Sequence, residues 1–185
     1  WGGLSAMSHM PLSGIRGLDL YAVQDGRQVY QGAFIPPLDA ETGFEAILYT
    51  AGEMTDYVLN LPLYNQVERL LIGVKADAAF REPAPYANAL PVVFYGSSIT
   101  QGGCASRPGN SYPNFLSRWL DMDYLNLGFS GSARAEEPIV RYMAGLPMAA
   151  FVSDYDHNAP DAAHLEKTHE PFFAHIREKN PDLPI

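Results

Sequence analysis

One cysteine, Cys104, occurs in 185 residues. A disulfide framework and a thiolate metal site within the chain are thereby excluded. Basic residues are also scarce, 12 Lys and Arg against 21 Asp and Glu, for a formal charge of -9. Nucleic acid demands a basic patch and anionic membranes demand much the same, so neither is expected as a partner. No run of 18 apolar residues exists, which leaves no candidate transmembrane helix. The amino terminus, Trp1 to Met10, lacks a basic region followed by an apolar core and does not read as a signal peptide. With the single cysteine, this favours a cytoplasmic setting. The chain does not begin with Met, and Asn180 to Ile185 ends where a further strand is expected, so a fragment is expected at both ends. Internal repeats and low-complexity segments are absent.

The first half reads as short strands. Leu18, Asp19 and Leu20 alternate apolar and polar with a period of two. Arg27 to Phe34, Phe44 to Thr50, Thr55 to Leu63 and Val67 to Lys75 continue the pattern, with Tyr57, Leu59, Leu61 and Leu63 sharing a face. Asp25-Gly26, Pro36-Pro37, Thr42-Gly43 and Ala51-Gly52 supply turn chemistry between them. Strands so spaced predict an incomplete β-sandwich over residues 1–85. Its Tyr and Phe residues are expected in the core and in cross-strand pairs rather than on a sugar-binding platform.

Prolines in Arg81 to Asn88 mark a linker, and from there the rhythm changes. Val92 to Tyr95 is a short buried strand, followed by a helix at about 111–120 capped by Asn110 or Ser111 with Pro113 in its first turn. Tyr124 to Gly128 is a second strand, Glu136 to Ala144 a helix, and Met148 to Val152 a third strand. Leu165 to Lys179 is a last helix that Pro171 is expected to kink or restart. Alternating strands and helices predict a parallel sheet with covering helices over 89–185.

In open α/β folds ligands bind at the carboxyl ends of the strands. Three strands here deliver polar groups to such ends: Ser98 in Gly96-Ser97-Ser98-Ile99-Thr100, Gly128 in Asn126 to Gly131, and Asn158 in Asp154 to Asn158. Nucleophilic acyl transfer needs a hydroxyl to attack and donors aimed at the developing oxyanion. A serine at a tight turn, a glycine N–H and a carboxamide are suited to those tasks.

These three blocks, in this order, resemble the SGNH (GDSL-type) hydrolase family. Ser97 stands where many members carry aspartate, and Asp156 replaces a more usual glycine. The resemblance implies a flavodoxin-like three-layer α/β/α domain, truncated at its carboxyl end. It makes Ser98 the nucleophile, and Ser98 N–H, Gly128 N–H and the Asn158 amide the oxyanion hole. Gly17-Leu18-Asp19-Leu20-Tyr21 matches the Gly-x-Asp-Leu-Tyr signature of a β domain that precedes the hydrolase in one subgroup. The family's fourth block, an aspartate and a histidine, has no match. The expectation is therefore an esterase for small acyl groups such as acetyl, on a small-molecule substrate that includes acylated carbohydrate, with these 185 residues nearly inert by themselves. The reading from another class is a non-catalytic module that binds a glycan or a protein.

Thr100 and Asn126 are read as groups that brace the loop, and His157 as a rim histidine with a structural hydrogen bond rather than a base. His164 and His175 share a helix face but lie about 16 Å apart at 1.5 Å per residue, too far for one metal. His164 and His169 make a poor zinc pair, so solvated helix positions are expected. Cys104 reads as a packed small side chain. No metal or organic cofactor is implied, and unpaired strand edges predict association between chains.

Overall fold

The computed structural model describes residues 7–50 and 52–185. Trp1 to Ala6 and Ala51, with its half of an expected turn, lie outside the described residues. Two compact units form: Trp1–Pro85 together with Cys104–Asn110, and Tyr86–Gly103 together with Ser111–Ile185. A contiguous split near residue 85 therefore misses one exchange, since residues 104–110 belong to the first unit.

The first unit opens with a single helical turn, α1 (Leu12–Ile15), followed by β1 (Leu18–Gln24), β2 (Arg27–Phe34) and β3 (Tyr57–Asn60). The antiparallel order is β2-β1-β3. Asp25 and Gly26 both have positive φ, 49° and 72°, which matches the right-handed strand twist in a two-residue hairpin. A register shift falls between Leu20 and Tyr21. Leu18, Asp19, Tyr21 and Ala22 are all buried, so both faces of β1 are covered and a simple in-out alternation does not hold.

Phe44 to Thr50 and Val67 to Lys75 form no strand, and β3 stops at Asn60. Ile47, Tyr49, Leu71 and Ile72 are exposed, and Leu61 is exposed too. Alternating apolar residues are stabilised as a strand only where a neighbour pairs and a second layer covers them. Among the described residues the first unit holds one sheet of three strands, fewer than the five or so expected of the incomplete sandwich.

The second unit contains β4 (Asn88–Gly96), the one-turn α2 (Ser98–Gln101), α3 (Tyr112–Leu120), β5 (Met122–Gly128), α4 (Glu137–Ala144), β6 (Ala150–Asp154) and α5 (Ala162–Lys179). The sheet is parallel, ordered β5-β4-β6. Side chains alternate across β4 as the pleat requires. Val93 and Tyr95 enter a core with Val140 and Met143 of α4 and with Phe172 and Ile176 of α5. Phe94 points the other way and packs edge-on against Tyr112 and Tyr124. Helices thus cover both sheet faces, and truncating a fully buried ring such as Phe94 to alanine costs about 3–5 kcal/mol.

Helix ends follow local chemistry. Asp161 caps α5 by accepting the His164 N–H at 2.8 Å, which starts this helix three residues before the periodic pattern suggests. Pro171 lies inside α5, which runs through it without restarting. Ser111 is the residue before α3, and its hydroxyl accepts from Asn114 Nδ2 instead of a backbone N–H.

Candidate active site

The strands β4, β5 and β6 end level. Gly96 pairs with Gly128 on one side and with Asp154 on the other. Three segments therefore leave the sheet at one edge, and hydrogen bonds lace them together. The Ser97 N–H donates to the Asp154 carbonyl at 3.1 Å, and the Phe129 N–H to the Gly96 carbonyl at 2.8 Å. On the far side, Asn158 ends a short 3-10 turn and donates its Nδ2 to the Phe129 carbonyl at 3.0 Å. The segments bearing Ser98, Gly128 and Asn158 come together at this rim.

The two adjacent serines divide the work. Ser97 is buried, and its Oγ caps α2 by accepting the Ile99 N–H at 3.2 Å. Ser98 is the first helical residue and is half-buried. A first-turn N–H has no intrahelical acceptor. Among the described residues neither the N–H nor the hydroxyl of Ser98 has a hydrogen-bond partner.

The Gly128 N–H, expected to serve an oxyanion, donates to Asn126 Oδ1 at 2.9 Å. What the position requires is closeness: a Cβ there would fall 2.1 Å from Gln101 N and 2.4 Å from Gln101 Cα. Gly131, in the turn that follows, has φ +70° and open space around it. Its N–H meets no acceptor among the described residues.

Asn126 and Thr100 hold this arrangement from below. Asn126 Nδ2 donates to the Thr100 carbonyl at 2.9 Å while its Oδ1 holds the Gly128 N–H, so one side chain clips α2 to β5. Thr100 is 0 % exposed; its Oγ1 donates to Asp154 Oδ2 at 3.3 Å and lies 2.9 Å from the Tyr112 hydroxyl. A threonine hydroxyl has one hydrogen, so Tyr112 is the donor in that second bond. Burial raises the Tyr112 pKa above its ordinary 10.0, the Thr100 bond opposes that and the Asp154 charge adds to it, so the phenol keeps its proton. Gln101 adds a tie, its Oε1 accepting the Ser130 N–H at 2.9 Å. Gln101, Tyr112 and the Asp154 carboxylate went unnoticed in the sequence because they serve neighbours reached only through the fold.

The remaining candidates fall elsewhere. His157 is exposed and makes no hydrogen bond among the described residues, so the structural bond expected of it does not form. His164 is not simply solvated: its Nε2 lies 3.0 Å from the Arg134 carbonyl oxygen. His169 stacks on Tyr155 with centroids 6.2 Å apart. Cys104 is exposed, not packed, and has φ 65°. Asp154, Asp156 and His157 bring donor atoms within 4.8 Å of one another, the one group of described side chains that could share a cation, although exposed acidic groups gather this way without one. A cavity of about 480 Å³ lies beside β6 and is lined by Ser153, Tyr155, Asp156, Leu165, Glu166 and His169, but not by Ser98.

The profile described as GDSL-like lipase/acylhydrolase matches residues 89–185, more than half of the chain. The chain belongs to the GDSL-like lipase/acylhydrolase family. Residues 2–80 match a second profile, the GxDLY N-terminus of SGNH-hydrolase-type esterases. A GDSL-like lipase from Bacteroides ovatus is similar at 33% identity over 97% of this chain and 52% of its own, with a TM-score of 0.84. The salicylyl-acyltransferase SsfX3 of a tetracycline biosynthetic pathway shares the fold at 20% identity, covering 92% of this chain and 48% of its own, with a TM-score of 0.65. This GDSL-family chain thus spans about half the length of the solved chains it resembles. Among curated proteins no match is found.

Proposed function

We propose that this chain carries the nucleophile and oxyanion donors of a serine esterase that hydrolyses carboxylic esters with small acyl groups. The observation that supports it most is half-buried Ser98, its hydroxyl and N–H without a hydrogen-bond partner among the described residues, at an edge where three in-register strand ends are laced together. Ser98 Oγ adds to the ester carbonyl carbon and passes its proton to a base. The carbonyl oxygen becomes an oxyanion whose collapse breaks the ester C–O bond, the alcohol leaves with the proton the base took up, and water then hydrolyses the acyl-enzyme to the free acid and serine. Two donors suit that oxyanion: the Ser98 N–H, and the Asn158 carboxamide, which has a second N–H beyond the one held by Phe129. Because Asn126 occupies the Gly128 N–H, the glycine donor is better assigned to Gly131.

No described side chain hydrogen-bonds Ser98 Oγ. The reading leaves the base to an aspartate and histidine outside these 185 residues, as the family resemblance implies. Loss of the histidine in a comparable triad lowers turnover about a millionfold. Acetylated carbohydrate is the substrate class we put forward.

Acetyl-ester hydrolysis and fluorophosphonate labelling test this in two chains, these 185 residues and a chain extended past Ile185, each with Ser98→Ala. The extended chain should hydrolyse and label, Ser98→Ala should abolish both, and the 185-residue chain should be slower by orders of magnitude. Labelling that survives Ser98→Ala refutes the nucleophile. Equal Ser98-dependent rates in both chains refute the absent base. An extended chain that binds glycan without hydrolysis or labelling is a binding module instead.

A further inference from the structure

Asp19 is a fully buried carboxylate in the first unit. Burying such a charge is costly unless its lone pairs are taken up. Here they are, mainly by a segment some ninety residues further on. The Gly109 N–H donates to both oxygens, at 3.1 and 2.9 Å, and Asn60 Nδ2 donates at 2.9 Å. Arg107 brings its Nε to 3.2 Å from Oδ2 as an ion pair. Its guanidinium lies over the Tyr30 ring, 4.1 Å from the centroid, and one of its terminal nitrogens reaches the Tyr21 hydroxyl at 3.4 Å. A Cβ on Gly109 would fall 2.7 Å from Asp19 Oδ2, so the segment approaches as closely as a glycine allows. Ser13 Oγ adds a bond to the Ser106 carbonyl at 2.5 Å.

Each strand of the small sheet thus spends a polar or aromatic side chain on residues 104–110: Asp19 and Tyr21 from β1, Tyr30 from β2, and Asn60, through Asp19, from β3. The segment is neither strand nor apolar core. Its ends are peptide bonds to Gly103, two residues past α2, and to Ser111, the cap of α3.

We propose that Asp19 is a positioning residue for the nucleophile: its carboxylate latches residues 104–110, and the latch holds the Ser98 turn through the chain itself. This rests on the esterase reading of Ser98 and gives the Asp-Leu-Tyr segment a task in it. The test is Asp19→Asn, which puts an N–H₂ where donors already point, with hydrogen exchange measured by peptide and Ser98 labelling by a fluorophosphonate.

Exchange should rise across 98–110 while β4, β5 and β6 keep their protection. Labelling should slow by about tenfold to a hundredfold, the effect expected of a small misplacement. Loosening of 104–110 with 98–103 and the labelling rate unchanged overturns the proposal. If Asp19→Asn raises exchange everywhere, Arg107→Lys, which keeps the charge but removes the planar stack, is judged by the same two criteria. Should the wild-type chain fail to label even when extended past Ile185, the esterase reading falls. The exchange pattern would still say whether the latch holds residues 98–103.

Discussion

Gly128→Ala separates two reasons for a glycine at the end of β5. The substitution keeps the backbone N–H, so any oxyanion or Asn126 bond survives in kind. What it adds is one methyl group at 2.1 Å from Gln101 N and 2.4 Å from Gln101 Cα. Ordinary contact begins at 3.4 Å, so about 1.3 Å of separation must be made between β5 and α2. Both of these atoms are backbone, and no rotamer change can relieve them. The strand is fixed by its parallel pairing with β4, whereas α2 is a single turn, so α2 gives way. Overpacking of this kind costs about 1–3 kcal/mol. Ser98 lies in the same turn, and a displacement near 1 Å lowers a positioned reaction by about a hundredfold. The assay is fluorophosphonate labelling of Ser98 beside a urea unfolding curve. Gly145→Ala serves as control, because its nearest neighbour is at 3.6 Å and its φ is -90°. Wild-type labelling and an unchanged midpoint for Gly128→Ala would refute the close-approach account.

Two further expectations concern the supports. Asn126→Ala strands the Gly128 N–H and the Thr100 carbonyl, and should cost about 2–6 kcal/mol by urea unfolding, from about 1–3 kcal/mol for each part-buried group left unmatched. A loss below about 0.5 kcal/mol would mean that water replaces the side chain without penalty. Tyr95 is fully buried, and burial pushes its phenol from 10.0 up to about 12, opposed by the hydrogen bond from the Ala135 N–H. The unfolded chain releases this proton first, so the stabilisation is complete below pH 10 and is lost as pH rises from 10 to about 12. The difference amounts to about 3 kcal/mol. Unfolding free energies of wild type and Tyr95→Phe across that range should converge, and parallel curves would argue against it.

Much of the second unit was legible because its signals are local and repeat. Apolar runs of four or five residues alternate with helices opened by Ser111 and Glu136, and the ladder put the carboxyl ends of the strands level. The first unit was harder to read. Phe44 to Thr50 and Val67 to Lys75 have strand-like composition, but composition does not supply a pairing partner, and both remain irregular and exposed. Polar residues misled in the other direction. Asp19 sits in an alternating stretch yet is buried, because Gly109, Asn60 and Arg107 meet it there. Nothing within five residues of Asp19 announces them.

The sequence by itself determined the order of strands and helices in the second unit, the family, and the serine on which the chemistry is proposed to turn. These follow from backbone preferences and from residue types at short spacing. Tertiary structure alone decided which amide was already occupied, which glycine was needed for contact, and to which unit residues 104–110 belong. Each of those depends on a distance between atoms far apart along the chain, and such distances exist only once the chain has folded.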